Sequence, residues 1–229
     1  MILPSGLSLL DRILNGGLST GIITHIYGEA ASGKTTLALK FVKELFKQEF
    51  GTIYINSENT SPVERLQQIT GRKFEDLELL VKILAPKGFI EQGVLLEDLE
   101  LYIRNNTKMV IVDTLTKHYR LALEDKKTNY SNHRELNRQT GILKGLAQNH
   151  DIAVLILNQV KASMQAVNDF EPVAGSIMDY WSDYVIKMRI GKTQGARVLK
   201  RLVPEGENVE GEFYLTTEGF TTNRTDEKE

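Results

Sequence analysis

The chain has 229 residues, a formal net charge of −2 and no cysteine. Its 41% hydrophobic and 25% charged residues are ordinary globular values, enough for a substantial core. The absence of thiols excludes disulfides, thiolate catalysis and Cys-ligated zinc, and the near-neutral charge requires any DNA or RNA binding to come from a local patch.

Ser5 to Leu18 reads as a short helix, with Ser8 as cap, Leu9, Leu10, Ile13 and Leu14 as its apolar residues and Asn15-Gly16-Gly17 as its stop. No basic region followed by an apolar stretch opens the chain, and no apolar run approaches the roughly 18 to 20 residues of a membrane span. A soluble, cytoplasmic protein without a membrane partner is expected.

Ile22 to Tyr27 reads as a buried strand running into Gly28-Glu29-Ala30-Ala31-Ser32-Gly33-Lys34-Thr35. This is G-x-x-x-x-G-K-T, the phosphate-binding P-loop. The two glycines let the backbone turn its N–H groups inward, the following helix adds its positive N-terminus, Lys34 reaches the β- and γ-phosphates, and Thr35 offers its hydroxyl to Mg²⁺. Leu37, Phe41 and Leu45 recur at helical spacing behind it. Gly28 to Thr36 is therefore the expected site for ATP, the expected cofactor together with Mg²⁺.

Gly51 to Ser57 is the next strand, with Glu58 just past its end, and Ser61-Pro62 starts a helix through about Thr70. Leu79 to Leu84 reads as a strand, Val94 to Asn105 as a helix, and Lys108 to Asp113 as an apolar strand ending in an acid. Thr114 to Asn132 is expected to be loop-rich, His133 to Asn149 helical, and Ile152 to Leu157 another apolar strand, ending at Asn158-Gln159. Tyr184–Arg189, Arg197–Val203 and Gly211–Thr216 follow at hairpin spacing, and the polar tail from Thr221 to Glu229 is expected to fray. Short apolar strands alternating with helices imply an α/β fold: a mostly parallel twisted sheet, helices on both faces, and antiparallel strands on the C-terminal edge. One core, residues 1–220, with a tail over 221–229, is the simplest organisation.

Asp113 stands at a Walker B position, where its carboxylate would hold Mg²⁺ with Thr35; an ordinary turn acid is the plain alternative. Glu58, on the neighbouring strand, is placed to activate water, unless it is a solvated loop glutamate. Gln159 could sense the γ-phosphate from its strand end. Lys187, Arg189, Lys192, Arg197, Lys200 and Arg201 form a stretch without acids. They could track a phosphate backbone, reach a neighbour's ATP, or lie on a solvated face. Lys117, His118 and Arg120, interleaved with Tyr119, form a second strip suited to single-stranded DNA.

With these residues placed, the sequence resembles the RecA-like recombinase core, most closely the archaeal RadB family. The resemblance runs from about Ser5 to Phe220: the lead-in Ser5-Gly6-Leu7-Ser8 through Gly16-Gly17-Leu18, the P-loop, Ile53 to Glu58 with Pro62 and Glu64-Arg65-Leu66, Val110 to Asp113 with His118-Tyr119-Arg120, Leu136 to Gln139, and Asn158-Gln159-Val160. It implies a RecA-like P-loop ATPase with Arg65 near the adenine, and a first DNA loop following Asp113. It also implies a weakly hydrolysing, ATP-dependent DNA-binding protein of homologous recombination and DNA repair. Single-stranded DNA is the favoured partner, with recombinase or Holliday-junction-processing proteins as further partners and self-association as a further option.

Two departures shape that expectation. The first residues already read as the lead-in to the ATPase core, so the N-terminal helical domain and polymerisation linker of RadA-type recombinases are not expected. The segment Lys161 to Gly175, where a second DNA loop should lie, is short and lacks a basic, glycine-rich run. An accessory role fits these better than strand exchange. Two alternatives stay open. One is a KaiC-like signalling ATPase or autokinase. The other is a non-hydrolysing mediator using ATP as a conformational ligand, which Asn56 and Asn59 favour where the family carries Asp and Gly.

Overall fold

The computed structural model describes residues 1–162, 169–207 and 209–223. In chain order, β1 (Ile2–Leu3), α1 (Ser8–Ile13) and β2 (Leu18–Ser19) precede the P-loop unit β3 (Ile23–Gly28) and α2 (Lys34–Lys47). Then come β4 (Gly51–Asn56), α3 (Val63–Thr70), α4 (Phe74–Leu77), β5 (Val81–Leu84), α5 (Phe89–Glu97) and a 3-10 turn over Asp98–Tyr102. They are followed by β6 (Thr107–Asp113), α6 (Thr116–Leu121), α7 (Lys126–His150) and β7 (Ala153–Asn158). The last elements are β8 (Val160–Ala162), β9 (Phe170–Pro172), α8 (Gly175–Trp181), β10 (Tyr184–Ile190), β11 (Ala196–Val203), β12 (Glu210–Thr216) and β13 (Gly219–Thr221).

A nine-stranded sheet runs β13-β12-β11-β10-β3-β7-β6-β4-β5. The strands from β10 to β5 are parallel, while β11, β12 and β13 add antiparallel pairs, as expected from sequence. Side-chain alternation divides the core between the two sheet faces. Ile26, Tyr54, Ile111 and Leu155 pack with Leu37, Phe41 and Leu66 of α2 and α3. Ile53, Ile55, Val110, Val112 and Val154 pack with Leu96, Leu136 and Leu143 of α5 and α7. Burial on both faces is why these strands read as unbroken apolar runs. The pairings Tyr27↔Asn158 and Asn56↔Asp113 bring the ends of β3, β7, β6 and β4 to one carboxyl edge.

Several expected boundaries move. The helix expected over Val94–Asn105 is α5, which starts at Phe89 and ends at Glu97. Phe89, Gln92, Gly93 and Leu96 carry the buried period, and Leu99 is reached through the 3-10 turn. The loop expected over Thr114–Asn132 holds α6 and the first turns of α7. Asp125 caps α7 by accepting from the amides of Lys127 and Thr128. The exposed polar turns before Leu136 carried no apolar period to reveal them. Ser8 is not a cap: Leu7 occupies that place without a side-chain bond, while Ser5 Oγ accepts from Leu7 N and Asp11 Oδ1 from Ser5 N. Of the expected second DNA loop, residues 163–168 lie outside the described residues, and its flanks are β8 and β9, paired antiparallel. Residues 224–229 of the expected tail also lie outside them.

Candidate functional site

The P-loop connects β3 to α2 and is clamped from both sides. Gly28 lies so close to β10 that a Cβ there would stand 2.4 Å from Met188 O. Gly33 begins α2 at φ +97°, a left-handed conformation that favours glycine. Lys34 Nζ donates to Gly28 O at 2.9 Å and Glu29 O at 2.8 Å. From β11, Arg197 donates to Ser32 O at 2.8 Å and Ala31 O at 3.2 Å, and from β13 the Phe220 ring covers Gly33. The antiparallel edge is thus the brace of the P-loop, a role no sequence signal disclosed.

Across the loop, Asp113 Oδ2 accepts from Thr35 Oγ1 and from Tyr54 OH, each at 2.6 Å. Burial pushes the Asp113 carboxyl upward, opposed by these two hydrogen bonds and the Lys34 ammonium. Burial likewise pulls the Lys34 ammonium down, opposed by Asp113, Glu58 and Glu29. The Asp113–Thr114 peptide is cis. Glu58 Oε1 accepts from Thr114 Oγ1 at 3.1 Å and Gln159 Nε2 at 3.0 Å, and Lys117 Nζ stands 3.6 Å from Oε2. Tyr54 escaped sequence reading because a β-propensive aromatic in a strand looks like core. Only its parity with Asn56, on the face that also holds Asp113, could have flagged it.

Two adjoining clefts open here. One, of about 430 Å³, is lined by Lys34, Thr35, Glu58, Asp113, Gln159 and Leu215, among others. The other, about 420 Å³, runs past Tyr54 and Pro62 to Arg65 and shares Thr35, Thr36, Glu58 and Asp113 with the first. Among the described residues, no group of three or more His, Asp or Glu could hold a metal ion. The available donors, one hydroxyl and one carboxylate beside a phosphate cradle, fit Mg²⁺ bound jointly with phosphate oxygens rather than in a protein cage. Gly28, which leaves no room for a Cβ, and left-handed Gly33 fit the backbone approach that a phosphate requires.

Arg65, from α3, reaches the second cleft but is anchored. It donates to Thr216 O at 2.7 Å, Thr217 O at 2.6 Å and Thr36 Oγ1 at 3.3 Å. Behind the site, Ser57 Oγ donates to Gln92, whose amide donates to Leu115 O and to Gln139. On the other side, Thr116 donates to Asn158 Oδ1, which turns the Asn158 amide nitrogen toward His25 Nε2 at 3.2 Å. These chains fix the residues flanking Glu58, Thr114 and Gln159.

The candidate DNA-contacting cations do not share one face. Lys187 is buried against Asp169, Arg201 is buried with its guanidinium on Ile13 O and Asn15, and His118 is buried on Pro86 O. Arg197 belongs to the P-loop brace. These four are corrections to the two strips: strand alternation and helix periodicity turn them inward, which a count of charges cannot show. Arg120, Arg189, Lys192 and Lys200 are exposed. Among these, Arg189 pairs with Asp169, and Lys200 lies 3.9 Å from Glu210.

The chain matches the Rad51 family over residues 1–223. The DNA repair and recombination protein RadB of Methanococcoides burtonii is 34% identical over 213 residues, covering 92% of this chain and 93% of that protein. RadB of Archaeoglobus fulgidus is 35% identical over 221 residues, covering 95% and 96%. The crystal structure of the RadB recombinase aligns with a TM-score of 0.79 at 28% identity, over 96% of this chain and 98% of that one. On the strength of this sequence and fold, the chain belongs to the Rad51 family of RecA-like ATPases, within its RadB branch.

Proposed function

We propose that this chain is an ATP-dependent, DNA-binding accessory protein of homologous recombination and DNA repair, with weak ATPase activity. The observation that carries the reading is the convergence of Lys34, Thr35, Asp113, Glu58 and Gln159 around one cleft at the carboxyl edge of the sheet. The RadB relatives support the process, and their match weighs against a KaiC-like signalling role. The P-loop amides and Lys34 bind the phosphates of ATP, and Thr35 and Asp113 hold Mg²⁺. When bound, Mg²⁺ supplies neutralisation of phosphate charge. Tyr54 fixes the Asp113 rotamer. Glu58 takes the proton of the attacking water, and Thr114 and Gln159 hold its carboxylate toward the cleft. Gln159 passes the nucleotide state to β8, which begins at the next residue, and Arg65 flanks the base. Single-stranded DNA, a recombinase or junction-processing protein, and further copies of this chain are the proposed partners, in the cytoplasm.

Steady-state ATP turnover of wild type and Glu58→Gln tests the reading. Loss of a general base predicts a fall of about 10²-fold or more. If both proteins hydrolyse ATP equally slowly, the hydrolytic reading is wrong. ATP as a purely conformational ligand then takes its place, a second reading favoured by Asn56 and Asn59 where the family carries Asp and Gly.

A further inference from the structure

We propose that Asn56 is a positioning residue for hydrolysis: its carboxamide closes the turn that carries Glu58 and so aims that carboxylate at the cleft. This rests on the reading of Glu58 as general base. Asn56 ends β4, is buried, and pairs in register with Asp113 of β6. Its Oδ1 accepts from Glu58 N at 3.2 Å, and its Nδ2 donates to Thr60 O at 3.1 Å. Both partners are backbone groups with one role each, since an N–H only donates and a carbonyl only accepts. Among the described residues, neither the Glu58 amide nor the Thr60 carbonyl has another hydrogen-bond partner. One side chain therefore ties the backbone on both sides of Asn59.

The Glu58 carboxylate is held separately, by Thr114 and Gln159 on Oε1. Its Oε2 carries no hydrogen bond among the described residues and keeps its lone pairs for a proton. Backbone and carboxylate must both be fixed for that oxygen to face the attacking water, and Asn56 supplies the backbone half. Only a carboxamide serves both ends of the turn. An aspartate of the same shape would accept from Glu58 N but set an anionic oxygen against Thr60 O, where a donor is required. It would also add a third carboxylate near Asp113 and Glu58, beside a cleft that has to admit a triphosphate. Asn56 does not line the cleft that Lys34, Glu58 and Gln159 share, and both ends of its carboxamide face the turn. It acts on hydrolysis through Glu58 and not on the phosphates. By sequence alone this asparagine favours ATP as a conformational ligand; by its bonds it serves hydrolysis.

The test measures single-turnover ATP hydrolysis, with enzyme and Mg²⁺ in excess, for wild type, Asn56→Ala, Asn56→Asp, Glu58→Gln and the Asn56→Ala/Glu58→Gln pair. The affinity of a fluorescent ATP analogue is measured for each. A misplaced base predicts that both Asn56 variants lose about 10- to 100-fold in rate, with analogue affinity within about twofold of wild type. Adding Asn56→Ala to Glu58→Gln should slow hydrolysis no further, because residues that act as a unit are not additive. A merely structural role would slow the pair by the same factor again, and that result overturns the proposal. The isosteric Asn56→Asp carries the test, alone and with Glu58→Gln, should the alanine variant not fold. A wild-type rate in Asn56→Asp overturns the proposal, as does lost analogue affinity at an unchanged rate, which would make Asn56 a nucleotide contact. Turnover retained in Glu58→Gln overturns the base reading and the proposal with it. Turnover lost there, with Asn56→Ala like wild type, overturns the proposal alone.

Discussion

Gly33→Ala probes how the C-terminal edge and the P-loop depend on each other. Two costs add. An L-residue at φ +97° is strained, by about 1–3 kcal/mol. The new methyl would also stand 3.0 Å from Phe220 Cζ and 3.4 Å from Leu215 Cδ2, so the Phe220 ring must give way by a few tenths of an ångström. Phe220 is 3% exposed and stacks edge-on with Phe213 at 6.4 Å, so its displacement costs about another 1 kcal/mol or more. A total loss of about 2–4 kcal/mol follows. Phe220→Leu should relieve the contact but not the backbone strain. In a double-mutant cycle by urea denaturation, the pair should therefore couple favourably by about 1 kcal/mol. Affinity for a fluorescent ATP analogue should stay low in both Gly33→Ala backgrounds, because the loop amides remain displaced. A coupling of zero would refute the proposed packing of β13 on the loop. Unimpaired nucleotide binding by Gly33→Ala would refute the cradle.

Gln92→Leu removes a fully buried amide and strands Ser57 Oγ, Leu115 O and Gln139. At about 1–3 kcal/mol per unsatisfied buried group, a loss of about 3 kcal/mol or more in chemical denaturation is expected. His25 is fully buried, with Nδ1 unpartnered among the described residues, and burial pulls its pKa from 6.5 to about 3. The unfolded chain therefore binds the extra proton, so the His25 contribution is intact above pH 6.5 and is lost as pH falls toward 3. Between pH 7.5 and 5.0 the wild type should lose about 2 kcal/mol that His25→Gln does not. Arg201→Met should destabilise by about 2–3 kcal/mol, through the stranded Ile13 carbonyl and Asn15, without altering the salt dependence of DNA binding. Arg120→Ala should do the reverse, reducing the salt slope by about 0.7 with stability changed by less than about 0.5 kcal/mol.

The legible parts were those where local pattern and chemistry coincide. The P-loop spacing, the apolar runs of β3, β4, β6 and β7, and the three polar residues at or just past the ends of β6, β4 and β7, Asp113, Glu58 and Gln159, could be read directly. Two-face burial makes those strands unmistakable, and parallel connection puts their ends on one edge. What stayed hidden depends on long-range partners. Arg197 and Arg201 look alike in sequence, yet one grips the P-loop backbone and the other the end of α1. Lys187 and His118 counted as surface charge until the sheet and α6 turned them inward. The start of α7 was missed because an exposed, capped helix needs no apolar stripe, and β13 because a three-residue strand has too little pattern to read.

Titrating labelled oligo(dT) with this protein at several salt concentrations, with and without Mg²⁺ and a non-hydrolysable ATP analogue, tests the central claim most directly. Phosphate contacts by three or four of the exposed cations predict a log K that falls with log salt at a slope of about −2 to −3. Binding should be tighter with nucleotide present. No binding at low salt, or an affinity indifferent to both salt and nucleotide, would contradict an ATP-controlled role on DNA.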